Sequence, residues 1–118
     1  MPTAKRARTP KKSLVRLTAV GGMYVVNPPA LMVKPGTEIY FTNSTPDRVL
    51  VFVPQARELF VRKPAWEVIE VPRSRTPKKL GTVAAQPVDF PQVYSYAVFV
   101  ASDESFAVGG SNPRIIVY

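Results

Sequence analysis

Residues 29–54, PALMVKPGTEIYFTNSTPDRVLVFVP, carry the pattern from which the fold class is read. Pro35-Gly36 stands between two apolar runs. Proline presets φ near −65° and glycine accepts positive φ, so this pair predicts a turn. After it, residues 37–42 place Ile39 and Phe41 on one face, and residues 49–53 alternate again beyond a polar loop at 43–47. The middle of the stretch therefore reads as a β-hairpin-like unit turning at Pro35-Gly36.

The same reading extends in both directions. Residues 14–20 read as the first strand, Gly21-Gly22 as a turn, and 23–27 as β-prone. Two successive prolines, Pro28 and Pro29, cannot lie inside a central strand because they donate no hydrogen bond to a ladder. Residues 55–60 suit one helical turn. Residues 66–71 and 80–84 read as further strands, with 86–92 irregular around Pro87 and Pro91. In residues 93–100, Tyr94, Tyr96, Val98 and Val100 share one face, which makes this the clearest strand. A loop at 102–113 precedes a closing strand at 114–118. Some eight or nine short strands, thirteen prolines and no long helical period predict an all-β sandwich or barrel.

The chain has 118 residues, the size of one domain, and no apolar run of about 18 residues that would span a membrane. The basic N-terminus lacks a following apolar segment, so no secretory signal is read and an intracellular location is expected. Cysteine and histidine are both absent. Disulfides, thiolate metal sites, imidazole ligands and the usual proton shuttle at neutral pH are therefore excluded.

Net charge is +8, from sixteen basic and eight acidic residues. Five of the basic side chains fall within residues 1–12 (Lys5, Arg6, Arg8, Lys11, Lys12) and four within 73–79 (Arg73, Arg75, Lys78, Lys79), with no acid in either segment. Taking those nine away leaves seven basic against eight acidic residues, so the body of the domain is nearly neutral. Residues 1–13 read as an extended basic arm, residues 14–118 as a single β-sandwich domain, and 73–79 as a basic loop.

The two basic segments are near copies. RARTPKK at 6–12 and RSRTPKK at 73–79 agree at six of seven positions and differ only in Ala7 against Ser74. Each contains Thr-Pro-Lys-Lys, which resembles the Ser/Thr-Pro-Lys-Lys element of histone-type tails; that resemblance implies contact with nucleic-acid backbone and minor groove. The physical case is independent of it. Proline limits the entropy lost on binding, the threonine hydroxyl can donate to phosphate, and arginine forks onto phosphate or enters a narrow groove. A heptad neutralising about four phosphates gives a log K against log salt slope of about −3.6 on duplex DNA. Three other readings stand beside this one: a localisation or solubility segment, a contact with acidic groups of a neighbouring subunit, and a proline-directed phosphorylation pattern at Thr9 or Thr76.

The order of strand and turn signals is similar to that of the cupredoxin family, the plastocyanin- and azurin-type copper proteins. Pro29, Leu31, Val33, Gly36, Ile39, Phe41 and Asn43 keep step with the family's early strands. Tyr94 and Tyr96 match its "Tyr-x-Tyr-x-Cys" strand, and Ile115 and Val117 its closing strand, with Pro113 where the family often has glycine. The resemblance implies a Greek-key β-sandwich with a copper site. Its chemistry has no carrier here: the first histidine position falls at Arg48 or Val49, the cysteine position at Val98, and the loop at 102–113 contains neither His nor Met. The expectation is a metal-free, cofactor-free scaffold, because a blue-copper site needs two imidazoles and a thiolate.

No catalytic constellation is apparent. Asp103 and Glu104 are adjacent in a loop, and Gly109-Gly110-Ser111 is too short for a nucleotide loop. Trp66, Phe99 and Tyr118 suit either a stacking patch or sandwich core. The expected function is a non-catalytic module contacting nucleic acid through Lys5, Arg6, Arg8, Lys11, Lys12, Arg73, Arg75, Lys78 and Lys79. The alternative is a structural subunit of a virion, filament or ribonucleoprotein particle, with protein neighbours as partners.

Overall fold

The computed structural model describes residues 11–74, 76–101, 105, 106 and 113–118. Eleven strands and one short helix follow one another in it: β1 (Lys12–Val20), β2 (Met23–Asn27), β3 (Ala30–Val33), β4 (Glu38–Asn43), β5 (Val49–Phe52), α1 (Ala56–Leu59), β6 (Val68–Val71), β7 (Lys78–Thr82), β8 (Gln92–Ser95), β9 (Ala97–Val100), β10 (Ser105–Phe106) and β11 (Arg114–Val117). The protein is all-β and sandwich-like.

One sheet has the order β2-β1-β4-β7. β1 runs antiparallel to β2 and parallel to β4, and β7 runs antiparallel to β4. The β1–β2 connection is the two-residue turn Gly21-Gly22, with both φ values positive at 56° and 80°, as a type I′ hairpin turn requires. The other strands form β3-β11-β8 and β10-β9-β5-β6. β8 and β9 are one run of chain interrupted at Tyr96, whose N–H turns to the Pro113 carbonyl (3.1 Å). That run of chain passes from one of these two sheets to the other.

Alternation determines what is buried. Val15 and Leu17, Ile39 and Phe41, Val49 and Val51, Val98 and Val100, Ile115 and Val117 all point inward, and with Leu59 and Phe60 they form a single core. Each such burial contributes roughly 1.5–3 kcal/mol relative to exposure.

Several expectations need correction. The Pro35-Gly36 turn is present, with Gly36 at φ 90° and Thr37 N–H donating to the Lys34 carbonyl (3.2 Å). Its flanking strands do not pair, however: β3 joins β11 and β4 joins β1, so the turn is a crossover between sheets rather than a hairpin. The first strand begins at Lys12, two residues before Leu14, because Lys12 and Ser13 pair with Glu38 and Ile39. Lys78 and Lys79 open β7 instead of belonging to a loop. Within the expected loop at 102–113, Ser105 and Phe106 pair with β9, and 102–104 and 107–112 lie outside the described residues.

Gly81 is required by packing. A Cβ built there would stand 2.7 Å from both Cγ and Cδ1 of Phe60, itself 1% exposed. A contact that close forces the Phe60 ring or the β7 backbone to shift, so Gly81→Ala should destabilise the fold by about 1–3 kcal/mol. Urea denaturation checks this, and an unchanged midpoint would show that the Phe60 ring relaxes freely.

Candidate nucleic-acid interface

The outer face of the β2-β1-β4-β7 sheet brings Lys12 of the first basic repeat and Lys79 of the second together. Along β1, Lys12, Leu14 and Arg16 point outward, opposite in sense to Val15 and Leu17. Along β4, Glu38, Tyr40 and Thr42 do the same, and register sets Lys12 beside Glu38, Leu14 beside Tyr40 and Arg16 beside Thr42. On the far side of β4, Lys79 stands opposite Tyr40, at a bulge in the β4–β7 ladder between Ile39 and Tyr40.

These side chains form one cluster. The Lys12 ammonium lies 5.6 Å from the centroid of the Tyr40 ring. The Tyr40 hydroxyl donates to Glu38 Oε1 (3.0 Å), and Lys79 Nζ donates to Glu38 Oε2 (3.2 Å). Glu38 is the sole acidic residue in the four strands. The Tyr40 hydroxyl first, and Lys79 second, hold its carboxyl below the ordinary carboxylate range, while the same bond to Glu38 raises the Tyr40 phenol. The final lysines of the two repeats thus flank one tyrosine on one face.

The repeats approach β4 from opposite ends, because β1 runs parallel to it and β7 antiparallel. Lys11 and Lys12 enter at the Glu38 end, where the Lys11 carbonyl accepts from Glu38 N–H (2.8 Å). Arg73 lies toward the Asn43 end, lining a groove with Arg16, Thr42 and Ser44. Lys11, Lys12, Arg73, Lys78 and Lys79 are all exposed. Lys5, Arg6, Arg8 and Arg75 lie outside the described residues. In the second repeat, Thr76 N–H donates to Ser74 Oγ (3.1 Å). The one position at which the repeats differ therefore carries the hydroxyl that pins this turn.

Arg16 was missed in the sequence because it lies outside both repeats. Strand parity is the signal that finds it: it sits four residues after Lys12 and shares its face. Trp66 and Tyr118 do not share a stacking patch. Trp66 packs on Phe60, with ring centroids 5.9 Å apart, and the Tyr118 ring lies under Lys34 at 5.4 Å. The positions given to copper ligands by the cupredoxin resemblance do not fit a metal. Val49 and Val98 are core residues at 0% and 1% exposure, and Arg48 pairs with Glu70 (3.1 Å). Among the described residues, no cluster of three metal-ligating side chains occurs, and no helix is long and apolar enough to cross a membrane. In comparisons with known proteins, no protein family and no curated protein matches the chain.

A carboxyl whose folded pKa lies below its unfolded value adds stability at pH above the unfolded value and loses it as pH falls through the folded one. The Glu38 cluster should therefore contribute at neutral pH and weaken on acidification. An NMR titration of the Glu38 carboxyl should show it moving up toward the ordinary range in Tyr40→Phe, and also in Lys79→Gln. An unmoved titration in Tyr40→Phe would remove the phenol as the principal cause.

Proposed function

We propose that this protein is a non-catalytic binding module that contacts nucleic acid electrostatically through its two repeated RxRTPKK segments, on a metal-free cupredoxin-like Greek-key scaffold. The observation that carries the reading is the convergence of Lys12 and Lys79, the last residues of the two repeats, on opposite sides of Tyr40. Two segments 67 residues apart in sequence thereby present charge on one sheet face, around an acid already neutralised by its neighbours. Backbone contacts of this kind fix position on a polyanion and carry little base preference. An intracellular, nucleic-acid-containing compartment suits such a module.

The scaffold reading draws support from strand order. A sandwich of several sheets, β2-β1-β4-β7, β3-β11-β8 and β10-β9-β5-β6, with the parallel pairs β1/β4 and β3/β11, is compatible with such a scaffold. Absence of His and Cys from the whole chain argues against electron transfer on such a scaffold.

A second reading, a structural subunit contacting protein neighbours, draws on a different face. Met32, Ile116 and Val93 form a cross-strand apolar row on β3-β11-β8, with Met32 61% and Val93 55% exposed. Apolar patches of this kind mark interaction sites more often than chance.

Binding to a random-sequence duplex, titrated with salt, separates the two. The full chain should show a steep log–log slope, and changing Lys11, Lys12, Lys78 and Lys79 together to Ala should flatten it by about 3, slightly under the roughly 3.6 expected of four free lysines because Lys79 must first leave Glu38. Absence of binding at about 50 mM salt, where nonspecific electrostatic binding is readily seen, would end the nucleic-acid reading. Concentration-dependent self-association abolished by Val93→Lys would then favour the subunit.

A further inference from the structure

We infer that the groove between Arg16 and Arg73 is a seat for a phosphate group carried on a nucleotide unit, with Arg16, a residue of neither repeat, as one of its two principal ligands. The inference rests on the nucleic-acid reading above and extends it from diffuse charge to a defined contact. The groove has a volume of about 680 Å³ and opens on the outer sheet face at the Asn43 end of β4. Its walls come from three chain segments: Leu14 and Arg16 of β1, Thr42 to Ser44 at the end of β4, and Arg73, Ser74 and Pro77 of the β6–β7 connection.

Its chemistry is one-sided. Two guanidiniums face it and, among the described residues, no carboxylate lines it. Arg16 has Asn27 and Thr42 as its cross-strand neighbours, so neither adjoining strand offers it an acid. Among the described residues, neither Arg16 nor Arg73 forms an ion pair or a side-chain hydrogen bond. Glu38, the only acid of the sheet, lies five residues away along β4, roughly 16 Å, and is already held by Tyr40 and Lys79. Guanidinium forks match phosphate oxygens in pairs.

Hydroxyl donors complete the set. Thr42, Ser44 and Ser74 border the same space. Ser74 Oγ accepts from Thr76 N–H, which leaves its own proton available to donate into the groove. Leu14, 37% exposed, and Pro77 supply apolar surface against which a sugar or base can lie. The volume lies within the roughly 300–1,000 Å³ of small-molecule sites, larger than a bare phosphate needs and adequate for a nucleotide.

The groove also stands at a useful distance from the lysine cluster. Lys12 and Arg16 are four residues apart on one strand, roughly 13 Å. Phosphates of one strand of duplex advance about 3.4 Å each along the axis. A duplex whose axis lies along β1 would thus advance about four base pairs between Lys12 and the groove.

The test is an NMR titration of the arginine side-chain Nε–H signals of the full chain, with inorganic phosphate, thymidine 5′-monophosphate and a dephosphorylated six-residue oligothymidylate as separate probes. Joint, saturable shifts of Arg16 and Arg73 are expected, stronger for the nucleotide than for inorganic phosphate. Arg16→Gln and Arg73→Gln should each weaken binding about tenfold or more, with Arg16→Lys intermediate because it keeps charge and loses the fork. The oligonucleotide arm distinguishes a backbone diester from a terminal monoester: shifts with the monophosphate alone assign the groove to free or end phosphates, and shifts with both assign it to backbone as well. Absence of saturable shifts with every probe would overturn the inference. Shifts that survive both glutamine variants would do the same. Duplex binding lost in the lysine variant but unchanged in Arg16→Gln would overturn the groove and leave the wider reading intact. Arginine shifts without any duplex binding would do the opposite.

Discussion

The buried side-chain amide of Asn43 is the constraint on which the described basic face depends. It sits at the end of β4 with 1% exposure. Its Nδ2 donates to the Asp47 carbonyl (2.8 Å) and to the Val71 carbonyl (3.1 Å). Its Oδ1 accepts from Thr45 N–H (2.9 Å) and Thr45 Oγ1 (2.7 Å). Four bonds thus tie β4, the loop that follows it and the end of β6 at one point. Net, such bonds add little each, but a buried group left unpaired costs about 1–3 kcal/mol. The asymmetry favours one arrangement strongly. Because β6 is fixed at Val71, the chain beyond Pro72 leaves beside Thr42 and Ser44, and Arg73 is brought to the groove that Arg16 borders. The Tyr24 hydroxyl, donating to Asp47 Oδ2 (2.8 Å), ties β2 to the same loop.

At the opposite end of β4 the controlling interaction is electrostatic and weaker. Glu38 is shared by Tyr40 and Lys79, and Lys12 covers the Tyr40 ring. Solvent-facing ion pairs and cations over exposed rings are weak, because water screens them. These contacts orient the lysines at little energetic expense. Lys12 can therefore leave the Tyr40 ring without dismantling the sheet. The strand pairing beneath them is independent of which anion the lysines meet.

Much of the fold was legible because strand alternation reports burial directly. Val15 and Leu17, Ile39 and Phe41, and Tyr94, Tyr96, Val98 and Val100 are buried as their parity predicts. Parity reports which face a residue takes and says nothing of which strand lies alongside. That is why Pro35-Gly36 was readable as a turn while its two arms were wrongly paired. The break at Tyr96 was hidden for a related reason: side-chain alternation runs through it unchanged, and only the backbone partner switches, from β11 at β8 to β10 and β5 at β9. Lys78 and Lys79 look like loop residues by composition, yet their backbones pair with Phe41 and Tyr40. Long basic side chains on an outer face do not oppose strand formation, since their charge stays in water. The groove was the least legible feature, because Arg16 and Arg73 meet only through the pairing of β1 with β4 and the Asn43 bond to Val71.

Sequence repetition and structural equivalence are separate matters here. The described ends of the two heptads meet the sheet in different ways: Lys12 starts a strand parallel to β4, and Lys79 lies in one antiparallel to it. A shared structural role would call for the same partners, and the partners differ: Lys12 pairs across the ladder with Glu38, Lys79 with Tyr40. What the two segments hold in common is charge, proline and the order of both. Those are properties of the exposed side chains rather than of the strand pairing, so the repetition is not explained by how the sheet is built. The single difference points the same way. Ser74 accepts from Thr76 N–H beside the groove that Arg73 lines, and Ala7 has no hydroxyl with which to make the equivalent bond.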